Sequence, residues 1–379
     1  MGEIVLPFST GLQLNTNKLI SSSLTVAKLE NLVPIEGELC AEPWFTPFAK
    51  TTLTDDVVID GYFAWYSGLS KEYVFGIKIN KSIYIVNSND VDDEGILSLT
   101  KAGDLYSTNY EQTSVQQLYT DFQANATMQY AQWVFVQVAT AFITKPGLPI
   151  TQLVEGGEAG YTPIAIPATY KDEENKDKYL SAKYIIATND RLFIGHCWEG
   201  DTYYPTRIHW SDINKPLDWA VSSTSEADYF DLGVNSLEIT GLAYANAILY
   251  TFTKNSIWRS DYEGFENKFK TTKFTSSTGN VYHYGVITVN EVIYFIGKDN
   301  FYMINNVTLQ PIGDAIWSWF RENKAATASD PIMAQYELVQ KTITWIFPKN
   351  DPLSSTGVSR WGIKYNTETG QWSTRSMQQ

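Results

Sequence analysis

This chain is poor in the residues that most chemistry depends on. It has two cysteines, three histidines and six arginines among 379 residues. Cys40 and Cys197 are too few for a disulfide framework, and two buried thiols fit them better than a pair. The histidines are His196, His209 and His283; the first two flank Cys197, but a metal centre there would need two or more further ligands, and none is visible. No Gly-x-Ser-x-Gly elbow occurs, so the sequence offers no hydrolase triad by motif. Gly156-Gly-Glu-Ala-Gly160 is not followed by Lys-Ser/Thr, so it is no phosphate loop. No apolar run reaches 18 residues, which excludes a membrane-spanning helix, and Met1–Gly11 has no basic leader segment. Positive charge is also scarce. Lys and Arg number 28 against 42 Asp and Glu, a formal charge of −14, which argues against gripping a nucleic-acid backbone.

What the chain has in abundance is aromatic residues, 14% of the total, arranged in a recurring pattern. Apolar runs broken by two or so turn-formers occur at Gly76–Val86, Tyr184–Gly195, Gly241–Phe252, Gly285–Gly297 and Gln335–Phe347. Each reads as a β-hairpin. The turns fall near Asn80, Asn189, Asn246, Asn290 and Gln340; the last three intervals are 57, 44 and 50 residues. The first, 109 residues, is about twice as long, and β-rich Tyr130–Lys145 lies inside it as a sixth unit. Units of roughly 40–50 residues that cannot bury both faces alone point to stacked blades. The fold expected is all-β, a six-bladed β-propeller, with a β-sandwich or two small β domains as the competing arrangement.

Residues 1–55 read as an extended N-terminal arm and 56–379 as the propeller. Two insertions are expected within the propeller. Val115, Leu118, Tyr119 and Phe122 share one helical face, which predicts a helix within 104–128. The Gly- and Pro-rich stretch 155–178, ending in a charged run, predicts a long exposed loop that contacts a partner subunit. A short helix is expected after Ile312, with Asp314 near its start and Ile316, Trp319 and Phe320 on one face. The acidic stretch Asp90–Gly95 has oxygen ligands but not calcium-loop spacing, and reads as a solvated turn.

The one segment with a dense local signature is Trp210-Ser-Asp-Ile-Asn-Lys-Pro-Leu-Asp-Trp219. Asp212 and Asn214 can cap their own backbone, Pro216 fixes φ, Asp218 precedes the second ring, and Trp210 and Trp219 can pack on either side. That is a structural turn. A competing reading is the Asp-box turn of carbohydrate-active propeller enzymes, which also need paired carboxylates or a tyrosine nucleophile and, for acidic sugars, an arginine cluster. The six arginines are scattered.

The same segment, in the context Arg207–Trp219, is followed by Tyr229-Phe-Asp-Leu-Gly233, Ile239-Thr-Gly-Leu-Ala243 and Leu249–Arg259. This order resembles the propeller proteins of phage tails, the nozzle or hub proteins of short-tailed phages and the related packaged-DNA stabilisation proteins. Pro311–Phe320 and Tyr365–Ser373 are similar to that family's short helix and terminal hairpin, and Gly11–Thr16 and Leu29–Gly37 to its arm. The similarity is good over 180–320, looser at both ends and poor over 100–178. The resemblance implies a structural virion protein, not an enzyme, that forms a hexameric ring below the connector. Its partners would be other tail and connector proteins, with genomic DNA passing through the lumen unbound. It would need no cofactor or metal, contact no membrane, and assemble in the host cytoplasm. The alternative kept open is a carbohydrate-active propeller enzyme or a glycan-binding tail component.

Overall fold

The computed structural model describes strand backbone from residue 32 onward and side chains chiefly over 178–376, apart from 189, 201, 234–235, 326–331 and 353–358. The fold is mostly β. Among the described residues, six antiparallel sheets of four or five strands follow one another along the chain. The first has strands Ile59–Tyr66, Tyr73–Ile79, Ser82–Asn87 and Thr100–Asp104. The second runs from Gln132–Phe135 through Ala141–Lys145 and Leu148–Glu155 to Tyr161–Ala165. The third has five strands, Pro167–Lys171, Asp177–Ala187, Leu192–Glu199, Thr202–Trp210 and Asp228–Asp231. The fourth comprises Ile239–Ala245, Ile248–Thr253, Ile257–Gly264 and Lys268–Thr275. The fifth spans Ile287–Val289 to Thr308–Pro311, and the sixth Met333–Glu337 to Trp372–Ser376. Every sheet is a meander, and the six hairpins expected from the sequence each lie in a different one.

The Asn turns explain why these hairpins form. At Asn246-Ala247, Asn290-Glu291 and Asn306-Val307 both turn residues have positive φ, between 43° and 62°. That is the type I′ geometry whose twist matches the flanking strands, and Asn tolerates it best after Gly. Around Gln340 the connection is longer, with Glu337 pairing with Thr342.

By contact, the chain divides into two compact units. One comprises Met1–Phe45, Ala243–Tyr262 and Phe269–Gln379, the other Thr46–Leu242 and Glu263–Lys268. In the first unit the fifth sheet is covered on both faces. Phe295 meets Phe252 of the fourth sheet at 5.0 Å between ring centroids. On its other side Phe301 meets Trp345 and Trp372 of the sixth, each at 5.0 Å. A helix, α1 (Trp317–Asn323), seals this core with Phe320, which is 1% exposed. It starts later than expected. The Gly313 carbonyl takes the Ile316 and Trp317 amides, so Asp314 lies before the first turn and instead accepts from the Asn300 side chain. Within the same unit the hairpin Leu32–Ile35/Glu38–Ala41 replaces part of the irregular arm, and its first strand lies beside Trp372–Ser376.

Two other expectations change or fall outside view. The 155–178 stretch carries edge strands, Tyr161–Ala165 and Pro167–Lys171, where a loop was expected. Its prolines hid them, yet Pro163 sits in an edge strand and Pro167 opens one, the two places a sheet accepts a residue without an amide donor. Deleting this stretch would therefore strip an edge strand from each of two sheets. The helix expected within 104–128 lies outside the described residues, as does Asp90–Gly95.

Glycine is required at one crowded position. A Cβ on Gly279 would collide with the Thr253 carbonyl and sit 2.7 Å from the Ser256 amide. Both are backbone atoms, held by the Thr253–Ser256 turn through the Ser256 amide and hydroxyl. Gly279→Ala is therefore expected to lower stability by about 1–3 kcal/mol in chemical denaturation, as for other overpacked sites.

Candidate functional site

The third sheet and the loop that leaves it hold the residues singled out in the sequence. Strand Thr202–Trp210 delivers Trp210 to the start of the 211–227 loop. The Asp212 amide bonds the Asp218 carbonyl at 2.8 Å, closing the turn. One carboxylate oxygen of Asp212 accepts the Ile213 and Glu226 amides, both at 2.9 Å, and the other accepts Lys215 Nζ at 2.7 Å. Those donors hold the Asp212 carboxyl below its usual range against the opposing pull of burial. Asp218 caps the Ala220 amide at 3.1 Å, and the Pro216 carbonyl accepts Trp219 Nε1 at 3.0 Å. Trp210 Nε1 donates to the Glu226 carbonyl at 2.8 Å. Both tryptophans are buried, Trp219 within the core of Leu180, Ile185, Leu192 and Ile194. The five residues thus form one tightly bonded turn whose polar groups are spent on the turn's own backbone and on the Lys215 side chain.

The arginines nearby are committed in the same way. Arg207 forks onto Asp231 at 2.8 and 2.7 Å, reaches Glu199 at 2.8 Å, and lies between the rings of Tyr204 and Tyr229, 3.6 and 3.9 Å from their centroids. The two carboxylates keep its guanidinium charged although burial opposes this. Arg191 is buried and pairs with Asp190 and Glu226. In the other unit Arg259 forks onto Asp261. In the sequence Arg207 is one of six scattered arginines. Its partners are 8 and 24 residues away and meet it only through strand register, where a bulge separates the Gly195–Ile208 pair from Cys197–Tyr204.

His196 and His209 lie on adjacent strands of this sheet. His209 is 1% exposed, packed between the rings of Trp219 and Tyr229. Burial, and secondarily the Arg207 charge, push its pKa down to about 4. His196 is also buried and has φ of 60° in mid-strand, a left-handed conformation that costs on the order of 1–3 kcal/mol unless its surroundings impose it. Its Nδ1 lies 3.0 Å from the Ile239 carbonyl and its Nε2 2.8 Å from the Tyr203 hydroxyl. Cys197 between them is a free, buried thiol that donates to the Arg207 carbonyl, and burial pushes its pKa well up. Among the described residues no cluster of His, Cys, Asp and Glu could hold a metal ion.

No family model matches the chain, and no curated protein does. Solved structures similar in fold include the β-propeller domain of Cps50 (Swd1) from Myceliophthora thermophila, at 8% identity and a TM-score of 0.40, with 83% of each chain covered. The Pan2 WD40 domain of Neurospora crassa has 10% identity and a TM-score of 0.39, with 88% of each chain covered. A puromycin-hydrolysing peptidase of Mycobacterium tuberculosis has 7% identity and a TM-score of 0.44 over 84% of this chain and 44% of that one.

Proposed function

We propose that the six sheets close into a six-bladed propeller with an N-terminal arm, and that the protein is a structural component of a phage tail. In this reading it forms a hexameric ring, a nozzle or hub below the connector, through which the genome passes. The observation that carries the reading is the placement of the resembling segments. Arg207–Trp219, Tyr229–Gly233, Ile239–Ala243 and Leu249–Arg259 supply strands and turns of the third and fourth sheets, and their polar groups are spent on packing. The competing carbohydrate-active enzyme is disfavoured because Arg191, Arg207 and Arg259 are each tied to carboxylates of their own unit. An acidic ring suits a conduit. Closed cyclic symmetry encloses a channel, and a negative wall repels phosphates over about 8–10 Å at physiological salt.

The test is assembly and DNA affinity measured together. Native mass spectrometry of the full chain should give a hexamer, and tail particles should contain the protein. Duplex DNA should show no measurable binding at about 0.15 M salt. A monomer missing from purified particles, or micromolar DNA binding, would overturn the reading.

A further inference from the structure

Lys364 is the one buried lysine among the described residues, at 1% exposure. Lysine is almost never so deeply buried unless it is paired. It stands in strand Val358–Asn366, opposite Thr344 and Ser373 of the neighbouring strands, which are buried too. Its Nζ donates to the side-chain oxygen of Gln340 at 2.8 Å, 24 residues back along the chain, and lies 3.7 Å from Oε2 of Glu337. Gln340 belongs to the 338–341 connection. The apolar residues there, Leu338 and Val339, give it no anchor, being 69% and 89% exposed. The connection is pinned instead to the next turn of the same sheet. Asn366 Nδ2 donates to the Gln340 carbonyl at 3.3 Å, and the Thr367 amide and hydroxyl donate to the Lys341 carbonyl at 2.8 and 3.0 Å. All these residues belong to one compact unit.

An amine, a carboxamide and a carboxylate held together in this way are the reactants and the acid–base group of an amide exchange. We propose that Lys364 and Gln340 join in an intramolecular isopeptide bond, with Glu337 moving the protons. The Glu337 carboxylate takes a proton from the lysine ammonium. A small turn of the Gln340 side chain brings the freed amine from the carboxamide oxygen to the carbon bonded to it, and the nitrogen lone pair attacks that carbon. The lysine nitrogen then gives up a second proton, protonated Glu337 hands its own to the original carboxamide nitrogen, and the carbon–nitrogen bond to that group breaks. Both protons lost by the lysine nitrogen end on the leaving nitrogen. Ammonium departs, a secondary amide remains, and no oxidant or other reactant is needed. The backbone bonds at Gln340 and Lys341 supply the positioning on which such a unimolecular step depends. The product suits its place, because a buried lysine charge is costly and the amide carries none. The bond ties the exposed connection to a central strand of the sheet and, like any cross-link, narrows the unfolded ensemble. It does not depend on the tail reading.

The experiment is intact-mass spectrometry of the denatured full-length protein, followed by tandem spectrometry of its tryptic peptides. After incubation at neutral pH, wild type should be lighter by the mass of one ammonia and should yield a branched peptide in which Gln340 and Lys364 are joined. The branched peptide separates this bond from an asparagine cyclised to succinimide, which loses the same mass but links nothing. Lys364→Arg should abolish the branched peptide. Glu337→Gln keeps both reactants, and its side chain is 43% exposed, so the variant should fold as judged by circular dichroism. It should form the bond about a hundredfold more slowly, the low end of what a positioned acid–base group contributes. Wild type that keeps its full mass and gives no branched peptide would overturn the proposal. So would a folded Glu337→Gln variant that forms the branched peptide at the wild-type rate.

Discussion

Replacing Trp219 by alanine is expected to cost about 3–5 kcal/mol of stability, the usual range for a buried aromatic truncated in a packed core. The ring is 2% exposed, lies among Leu180, Ile185, Leu192 and Ile194, and closes the 211–219 turn through its indole donor to Pro216. Trp210→Ala should cost a comparable amount. That ring lies against Phe193 at 6.2 Å, and its loss leaves the Glu226 carbonyl without the indole donor. Leu217, in the same turn but 52% exposed, provides the control: Leu217→Ala should fall within about 0.5 kcal/mol of wild type. Denaturant titration of the three variants decides the matter. If both tryptophan variants unfolded at the wild-type midpoint, the turn would not be a packing element and its carboxylates would have to be reconsidered as a ligand site.

That turn was legible in the sequence because its signals are local. Asp212, Pro216 and Asp218 act on amides and carbonyls within a few residues, apart from the Asp212 bond to Glu226. The hairpins were legible for the same reason: Asn290 sets a positive-φ turn, and the apolar residues around it alternate or run together as strands do. Where composition and pattern disagreed, composition misled. Tyr161–Ala165 and Pro167–Lys171 have aromatic and β-branched residues in strand-like order, but their glycine- and proline-rich setting read as loop, and only an edge position reconciles the two. Contacts set by register stayed invisible. Tyr203 meets His196 across a hairpin, and Arg207 meets Asp231 across a strand pair, so neither follows from spacing without the register. The bulge after Gly195 and the left-handed His196 shift that register in a way no periodicity encodes.

His209 leads to the other large effect, a loss of stability in mild acid. The imidazole is buried, and its Nδ1 has no hydrogen-bond partner among the described residues. The groups around it are the Trp219 and Tyr229 rings, the Arg207 guanidinium from its own strand and the Asp228 carboxylate from the neighbouring strand. Burial and then Arg207 disfavour the imidazolium, while a backbone hydrogen bond to Trp210 and the Asp228 charge favour it less strongly; the balance brings the folded pKa to about 4 from the ordinary 6.5. The sign follows from linkage. Between these values the unfolded chain takes up a proton that the folded chain refuses, so stability is fully present above about pH 6.5 and falls as the pH drops towards 4. At 1.36 kcal/mol per pH unit the whole loss is about 3 kcal/mol. Asp190 and Asp212, held below their usual range, add their own loss at lower pH. A subtraction therefore isolates the histidine. Denaturation of wild type and His209→Gln at several pH values from 7.5 to 4 should give a stability difference that shrinks or reverses by about 3 kcal/mol on acidification, because the amide cannot take up the proton. Parallel pH curves for the two proteins would mean that His209 takes up its proton at the same pH in the folded and unfolded chains, so that Asp228 and the backbone bond offset burial and Arg207.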